Sequence, residues 1–244
     1  MMSIPNLIKY LSQFKQIMDD QKVRYKEPSW PWYSIHRPRD KSIFESKSKV
    51  LVPYRSKSNN FAFSEEPVFS SRDVFYLTPK SSEKTIVKNT LLILNSRLCL
   101  FWLKHKGKVK GDTLELYATP LSEIPIKVFN KSQNISSYLL ALLLNAKVVD
   151  KSIPNAHIAK IFEDVIDALV FELYFPEDFA EKGIEIEKHA QVIFKSIEGL
   201  SEEEQIKSIQ EAYQTLQKEG NLLGNAIKLM KVELKELLLP ILSV

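Results

Sequence analysis

The sequence predicts an α+β fold, in which a mixed, β-rich part is followed by an all-helical part. An amphipathic pattern opens the chain, and short alternating runs rich in Pro, Ser and aromatic residues fill residues 24–82. Long apolar patterns with a 3.6-residue period follow in the second half. We therefore divide the chain into a lead-in helix, a β-rich domain and a helical carboxy-terminal region, at residues 1–27, 28–131 and 132–244.

The first elements follow from local patterns. Ser3 can cap and Pro5 can open a helix whose apolar residues recur at helical spacing until about Val23. Short apolar runs separated by polar turns then predict three strands, at residues 49–53, 61–63 and 74–78.

The middle of the chain combines an apolar run with a basic one. The stretch "KNTLLILNSRLCLFWLK" predicts one buried helix over residues 88–104. The basic stretch at 105–112 contains two glycines and predicts a flexible loop that leads to a strand at 114–117.

The second half shows only helical patterns. Apolar residues recur at helical intervals in "HIAKIFEDVIDALVFELYF", and Pro176 ends that helix. Ser201, followed by three glutamates, is typical of a helix N-cap with acids in the first turn. A last helix is predicted over residues 221–239.

The net charge of +4 conceals two halves of opposite sign. Residues 1–131 hold 23 Lys and Arg against 12 Asp and Glu, a net charge of +11, whereas residues 132–244 hold 11 against 18, a net charge of −7. This split suggests that the first half faces a polyanion, although two solvated surfaces of different composition would give the same numbers. We interpret the acidic residues of the second half as the solvated faces of its helices.

Several kinds of chemistry find no support in the sequence. The six glycines form no nucleotide- or cofactor-binding loop, and the four histidines lack partners at metal-ligand spacing. A nuclease-like Glu-x-Lys, Glu233 to Lys235, lies in a helical pattern without a partner acid. We therefore predict no catalytic, cofactor-binding or metal-binding residues, and a chain that binds rather than catalyses.

Other features bear on the compartment. Cys99 stands alone in an apolar run, where a small buried side chain is expected, so no disulfide framework is possible. The longest apolar runs are shorter than a membrane span requires and contain Arg97 or Lys147. Since no export signal is visible either, we predict a cytoplasmic protein without a membrane partner.

Three basic segments carry side chains suited to nucleic acid. In "VPYRSKSNNFAF", at residues 52–63, the Arg, Lys and Asn types suit base edges and the Ser types suit phosphate oxygens. The alternative is a solvated turn, which an Asn-Asn pair often supplies. "HRPRD" and the lysines around the 105–112 loop are the other segments. The predicted DNA contacts are Arg37, Arg39, Arg55, Ser56, Lys57, Ser58, Asn59, Asn60, Lys104, Lys106, Lys108 and Lys110.

The order of four stretches carries a family resemblance. "WYSIHRPRD", "SKVLVPYRSKSNNFAF", "RDVFYLTPK" and "LLILNSRLCLFWLKHKGKVKGDTLELYATPLSEIPI" together resemble the TaqI-like carboxy-terminal specificity domain over residues 28–127. That domain is the target-recognition part of adenine-N6 DNA methyltransferases and type IIG restriction-modification enzymes. "IPNLIKYLSQF" resembles the helix that follows the catalytic domain in such enzymes, and "AHIAKIFEDVIDALVFELYFPED" resembles their helical region.

The sequence also departs from that family. It contains no N-P-P-Y-type tetrapeptide and no cofactor loop, and Ser64, Glu65 and Glu66 stand where an Asp is commonly expected. The resemblance therefore implies a module that recognises double-stranded DNA for a restriction-modification adenine-N6 methyltransferase but lacks the catalytic half. An upstream methyltransferase or nuclease domain or subunit would be its partner, and S-adenosylmethionine is expected only there. The alternative is a protein-interaction module that docks a partner through its acidic helical half.

Overall fold

The structure is a computed structural model that describes residues 5–25, 31–34, 39–80, 84–127, 129 and 149–244. It forms two compact units, residues 1–44 and 45–244. The predicted boundaries after residues 27 and 131 both lie outside the described residues, so they stay predictions. The α+β class is confirmed, since small antiparallel sheets are followed by a helical carboxy-terminal region.

The first unit contains short helices rather than the single one predicted. Ser12 interrupts the helix, because its Oγ donates to the Ile8 carbonyl oxygen over 2.7 Å and competes with the backbone. A 3₁₀ turn results, and no residue of that turn or of the helix after it is buried. The elements are α1 (Pro5–Leu11), the 3₁₀ turn (Ser12–Phe14), α2 (Lys15–Tyr25) and α3 (Lys41–Glu45), which ends at the border of the second unit.

The second unit begins with two small antiparallel sheets. One has the strand order β3-β1-β4 and the other β2-β6-β5. The strands are β1 (Lys49–Pro53), β2 (Arg55–Ser56), β3 (Ala62–Ser64), β4 (Val74–Leu77), β5 (Lys108–Lys110) and β6 (Thr113–Glu115). The prediction for β1 is confirmed. β3 begins one residue later than predicted, because the N–H of Phe61 donates to the side chain of Asn95 rather than to β1.

A single extended segment supplies a strand to each sheet. Its first part, β1, pairs with β4 of one sheet, and its second part, β2, pairs with β6 of the other. Tyr54 lies between them, since its N–H donates to the Asp73 carbonyl and its own carbonyl accepts from the Leu116 N–H. The first residues of "RSKSNN" therefore form a sheet strand, so they are neither a simple turn nor an unpaired loop.

The apolar run predicted as one helix is two helices, α4 (Lys84–Asn95) and α5 (Arg97–Lys106), bent by 67°. Ser96 makes the break. It is fully buried and extended, and its Oγ accepts from the N–H of Cys99 as the N-cap of α5. Within the described residues no single helix is long and apolar enough to cross a membrane, although α4 and α5 taken together pass that test of length and composition.

The helical part agrees with the predicted caps. Ser201 forms a capping box with Glu204, and Pro176 stands at the start of the helix that follows "FELYF". Phe162 and Phe194 meet edge to face in its core, with ring centroids 5.2 Å apart. The remaining helices among the described residues are α6 (Ala118–Ser122), α7 (Asn155–Tyr174), α8 (Pro176–Glu181), α9 (Ile186–Ile193), α10 (Glu202–Gln217), α11 (Leu222–Glu233) and α12 (Lys235–Leu242).

Candidate nucleic-acid interface

The second sheet brings two distant basic segments together. Arg55 on β2 and Lys108 on β5 both lie opposite Glu115 on the central strand β6. Directly opposed residues of antiparallel strands share a face, so the three side chains form one row across the sheet. Because alternate residues of a strand share a face, Lys110 extends the same side of β5. Lys57 follows the end of β2, and its contact with Asp112 places it at the same surface. We call this surface the basic sheet face, defined by Arg55, Lys57, Lys108, Lys110, Asp112 and Glu115.

The central carboxylate of the row is held by both neighbours. Oε1 of Glu115 accepts from Nη2 of Arg55 over 2.9 Å, and its Oε2 lies 3.2 Å from Nζ of Lys108. The Glu115 side chain is only 6% exposed, whereas Arg55 and Lys108 are about half exposed. The hydrogen bond from Lys108, followed by that from Arg55, lowers the pKa of Glu115, so the carboxylate stays ionised.

Two tyrosines flank the row. The Arg55 guanidinium lies over the Tyr54 ring, 5.2 Å from its centroid, and Nζ of Lys108 lies 5.1 Å from that of Tyr117. The Tyr117 hydroxyl and then Glu115 raise the pKa of Lys108 by hydrogen bonding. Arg55 and Lys108 are therefore both fully charged at neutral pH, and each lies against an aromatic ring.

A second pair of charges lies at the turn between β5 and β6. Nζ of Lys57 lies 2.7 Å from Oδ2 of Asp112, and both side chains are more than 70% exposed. Gly111 makes the turn with a φ of 64°, a left-handed conformation that favours glycine. An exposed pair of this kind contributes little to stability, so Lys57 can exchange Asp112 for another anion.

The end of α5 supplies two further lysines. Lys104 and Lys106 are exposed in its last turn, and Gly107 connects that turn directly to β5. A Cβ at Gly107 would collide with the Leu103 carbonyl oxygen, so only glycine permits this close connection. In the part of the chain that the structure describes, no carboxylate pairs with either lysine.

The asparagines of "RSKSNN" have different surroundings. Asn59 is 6% exposed, and its Nδ2 donates to the carbonyl oxygens of Leu94 and Ser96 over 2.7 and 2.8 Å. Both amide donors are thus used to join the loop to the α4–α5 bend. This geometry argues against the predicted contact between Asn59 and adenine, because no donor is left for a base edge. Asn60, in contrast, is exposed.

The serines of the loop support its shape. Ser56 lies on the opposite side of β2 from the basic sheet face, in register with buried Leu114. Its Oγ accepts from the N–H of Ser58, whose own hydroxyl donates to Oδ1 of Asn59. Phosphate contacts by these two hydroxyls stay predictions, and both hydroxyls already hold the loop in place.

A cleft of about 560 Å³ adjoins the loop. Asn60 and Phe61 line one side, and Arg97 and Asp167 line another. Asn95 accepts from the N–H of Phe61 and donates to its carbonyl oxygen, each over 2.9 Å. Asn60-Phe61-Ala62 and Leu94-Asn95-Ser96, which both lie in stretches that carried the family resemblance, are thus joined by hydrogen bonds.

The remaining predicted contacts belong to the first unit. Arg39 is half-buried, and its guanidinium lies over the Phe44 ring, 5.6 Å from the centroid. Arg37 lies outside the described residues. The roles of both arginines in binding DNA stay predictions.

The prediction from sequence missed the acids and tyrosines of the basic sheet face. The alternation in "TLELY" does place Thr113, Glu115 and Tyr117 on one side of a strand, opposite the buried Leu114 and Leu116. It does not reveal the partner of Glu115, because Arg55 lies 60 residues earlier in the chain. Among the described residues, no group of His, Cys, Asp and Glu side chains could hold a metal ion.

Comparison with known proteins finds a family model that matches the part of the chain containing the basic sheet face. Residues 8–126 match the model of the TaqI-like C-terminal specificity domain. The type II methyltransferase M.HindII of Haemophilus influenzae is 34% identical over 106 residues, which are 41% of this chain and 20% of that protein. The type II methyltransferase M.HincII, also of Haemophilus influenzae, is 30% identical over 125 residues, 48% of this chain and 25% of that protein. The matched part thus spans a quarter or less of either relative.

Proposed function

We propose that this chain is the sequence-specific duplex DNA recognition module of a restriction-modification methyltransferase that acts on adenine N6. The observation that carries the proposal is the basic sheet face, where Arg55 and Lys57 lie beside Lys108 and Lys110. Arg55 and Lys57 are about 50 residues from Lys108 and Lys110 in the sequence, so it is the folding of the chain that brings their charges together. The match of residues 8–126 to a specificity-domain model and the similarity to two type II methyltransferases support the same conclusion.

The side chains of the surface suit two tasks. Lysines are mobile point charges that neutralise phosphates, and we propose this role for Lys57, Lys104, Lys106, Lys108 and Lys110. A guanidinium can contact O6 and N7 of guanine together, so Arg55 is the proposed base reader. Asn60 has an exposed amide of the type that reads adenine.

We further propose that methylation takes place in a separate catalytic part, either upstream in the same polypeptide or in another subunit. The two relatives are four to five times longer than their matched segments, which leaves room for such a part. S-adenosylmethionine would bind there, because the six glycines of this chain form no cofactor loop. The catalytic part would extract the adenine from the duplex, while this chain selects the site.

Duplex binding as a function of salt tests the proposal. The affinity for a fluorescently labelled 20-base-pair duplex of random sequence is measured by anisotropy between about 50 and 200 mM salt. If the five lysines neutralise five phosphates, the logarithm of the association constant falls with the logarithm of salt concentration at a slope of about −4.5, because each neutralised phosphate contributes about −0.9. A chain that binds no duplex, or binds with the same affinity throughout this range, would contradict the proposal.

A further inference from the structure

Glu115 lies in the middle of the basic sheet face, and each of its oxygens holds a different cation. Oε1 accepts from Arg55 over 2.9 Å and Oε2 lies 3.2 Å from Nζ of Lys108. The strand register places both partners directly opposite Glu115, one on each neighbouring strand. The carboxylate thus joins two segments of the proposed DNA surface in a fixed relation.

A carboxylate at this position opposes general DNA binding. It offsets one of the positive charges that attract phosphates, and its own charge repels them. If affinity for DNA were the only function of this surface, loss of the Glu115 carboxylate would strengthen binding. Its contribution to recognition, if it makes one, must therefore come from geometry rather than from charge.

The geometry concerns the orientation of Arg55. An arginine side chain has several rotatable bonds, and bidentate contact with guanine requires one orientation of the guanidinium plane. Glu115 fixes one edge of that plane through Nη2, while the Tyr54 ring supports its face at 5.2 Å. Because a guanidinium has five N–H donors in a fork, a carboxylate bound through one amino group leaves others for a base.

We propose that Glu115 is a positioning residue for sequence choice: it holds Arg55 in the orientation in which Arg55 reads a base, at a cost in general affinity. The inference rests on the proposed function and adds to it a determinant of specificity that itself contacts no DNA. Its consequence is that loss of Glu115 separates two quantities that usually change together, namely overall affinity and discrimination between sequences.

Three variants separate geometry from charge. Glu115→Asp keeps the charge but shortens the side chain by one methylene, so it can no longer hold both cations as before. Glu115→Gln keeps the length and loses the charge. Asp112→Asn is the matched control, since it removes one negative charge from the same surface but releases only Lys57.

Each variant of the full chain is measured in two ways. Anisotropy gives the affinity for a random duplex, and sequencing of duplexes retained from a random library gives the preference at each base position. We expect Glu115→Gln and Asp112→Asn to raise general affinity alike. We expect Glu115→Asp to reduce the preference at one base position by roughly 5- to 150-fold, the range of one bidentate contact. Glu115→Gln, whose amide oxygen can still accept from Nη2 of Arg55, should reduce it less. Asp112→Asn should keep the wild-type preference.

Arg55→Lys tests the inference independently of the Glu115 variants, because Arg55 is half exposed and the substitution keeps its charge. It should reduce the preference at the same base position as Glu115→Asp, even if a Glu115 variant folds poorly. The inference is overturned if Glu115→Asp keeps the full preference, if the two variants affect different positions, or if the wild-type chain binds duplex without any preference. In these cases salt-dependent binding through the basic sheet face still stands. A wild-type chain that binds no duplex overturns the proposed function itself, and this inference with it.

Discussion

The backbone N–H of Arg97 donates to Oδ1 of Asp167 over 2.8 Å and joins the first turn of α5 to the middle of α7, 70 residues away. Nε of the Arg97 side chain lies 3.4 Å from Oδ2 of the same carboxylate. Asp167 is 7% exposed, and burial raises its pKa to about 6 despite the opposing effect of Arg97. The contact between α5 and α7, which orients the basic end of α5, thus contains a carboxylate that titrates near neutral pH.

The first prediction concerns the pH dependence of stability at this contact. An unfolded Asp has a pKa of about 3.8, so the folded state holds the extra proton between about pH 4 and pH 6. The free energy of unfolding contributed by Asp167 is therefore full below pH 4 and is lost as the pH rises through 6. Asp167→Asn keeps an acceptor for Arg97 but does not titrate. The wild-type free energy of unfolding minus that of the variant should fall by up to about 3 kcal/mol between pH 4 and pH 7.

Urea unfolding at each pH measures this difference directly. Other carboxylates titrate equally in both proteins, so their effects cancel. A difference that stays constant, or that increases with pH, would show that Asp167 has no raised pKa in the folded protein.

The second prediction separates the neighbouring asparagines. Asn59→Ala removes the side-chain donor from the buried Leu94 carbonyl oxygen, whereas the Ser96 carbonyl oxygen still accepts from the Leu100 N–H. An unsatisfied buried group costs about 1–3 kcal/mol. We expect it to lower the free energy of unfolding by about 2 kcal/mol, within that range. Asn60→Ala, at an exposed position, should change it by less than about 0.5 kcal/mol.

The same two variants distinguish the asparagines in DNA binding. Asn60→Ala should reduce sequence preference at one position, whereas Asn59→Ala should lower stability without shifting the preference at any single position. Equal effects of both variants on stability would refute the structural role given to Asn59.

The third prediction concerns the connection between α5 and β5. Gly107→Ala places a methyl group against the Leu103 carbonyl oxygen, so the end of the helix must shift. Gly111→Ala is the matched control, because it meets no atom within 4 Å and carries only the strain of a positive φ, about 1 kcal/mol. Thermal unfolding should show a larger loss for Gly107→Ala, and its affinity for duplex DNA should fall as Lys108 and Lys110 move. An equal or smaller loss at Gly107 would mean that the helix end adapts freely.

The fourth prediction concerns the cofactor. Since we place S-adenosylmethionine in a separate catalytic part, calorimetric titration of this chain with the cofactor should show no heat of binding, and incubation with duplex DNA should yield no methylated adenine. Saturable binding of one equivalent of S-adenosylmethionine would refute the proposal that the cofactor binds in a separate catalytic part.

Local patterns in the sequence were sufficient for most of the fold. The capping box at Ser201 and the strand β1 depend on a few adjacent residues, so both were predicted. The bend at Ser96 was missed because a serine within an apolar run fits a helix until a distant group, here Asp167, accepts the N–H that the break exposes. Tertiary contacts overrode the local pattern at this point.

The candidate site was predictable by residue type but not by arrangement. The lysines and Arg55 were recognisable from charge, yet their placement on one face depends on pairing between β2, β6 and β5 over about 60 residues. Glu115 was missed for the same reason. Asn59 and Asn60 look alike in the sequence, and only the carbonyl oxygens of the α4–α5 bend distinguish them.

The most direct test of the account is a comparison of two triple variants in duplex DNA binding. The first changes Lys57, Lys108 and Lys110 to Ala on the basic sheet face. The second changes Lys188, Lys207 and Lys218 to Ala, which are exposed lysines of the helical part, and so removes the same charge elsewhere. If the basic sheet face binds phosphates, the first variant loses affinity and its salt slope becomes shallower by about 2.7, whereas the second keeps the wild-type slope. Equal losses in both variants, or an unchanged slope in the first, would contradict the central claim.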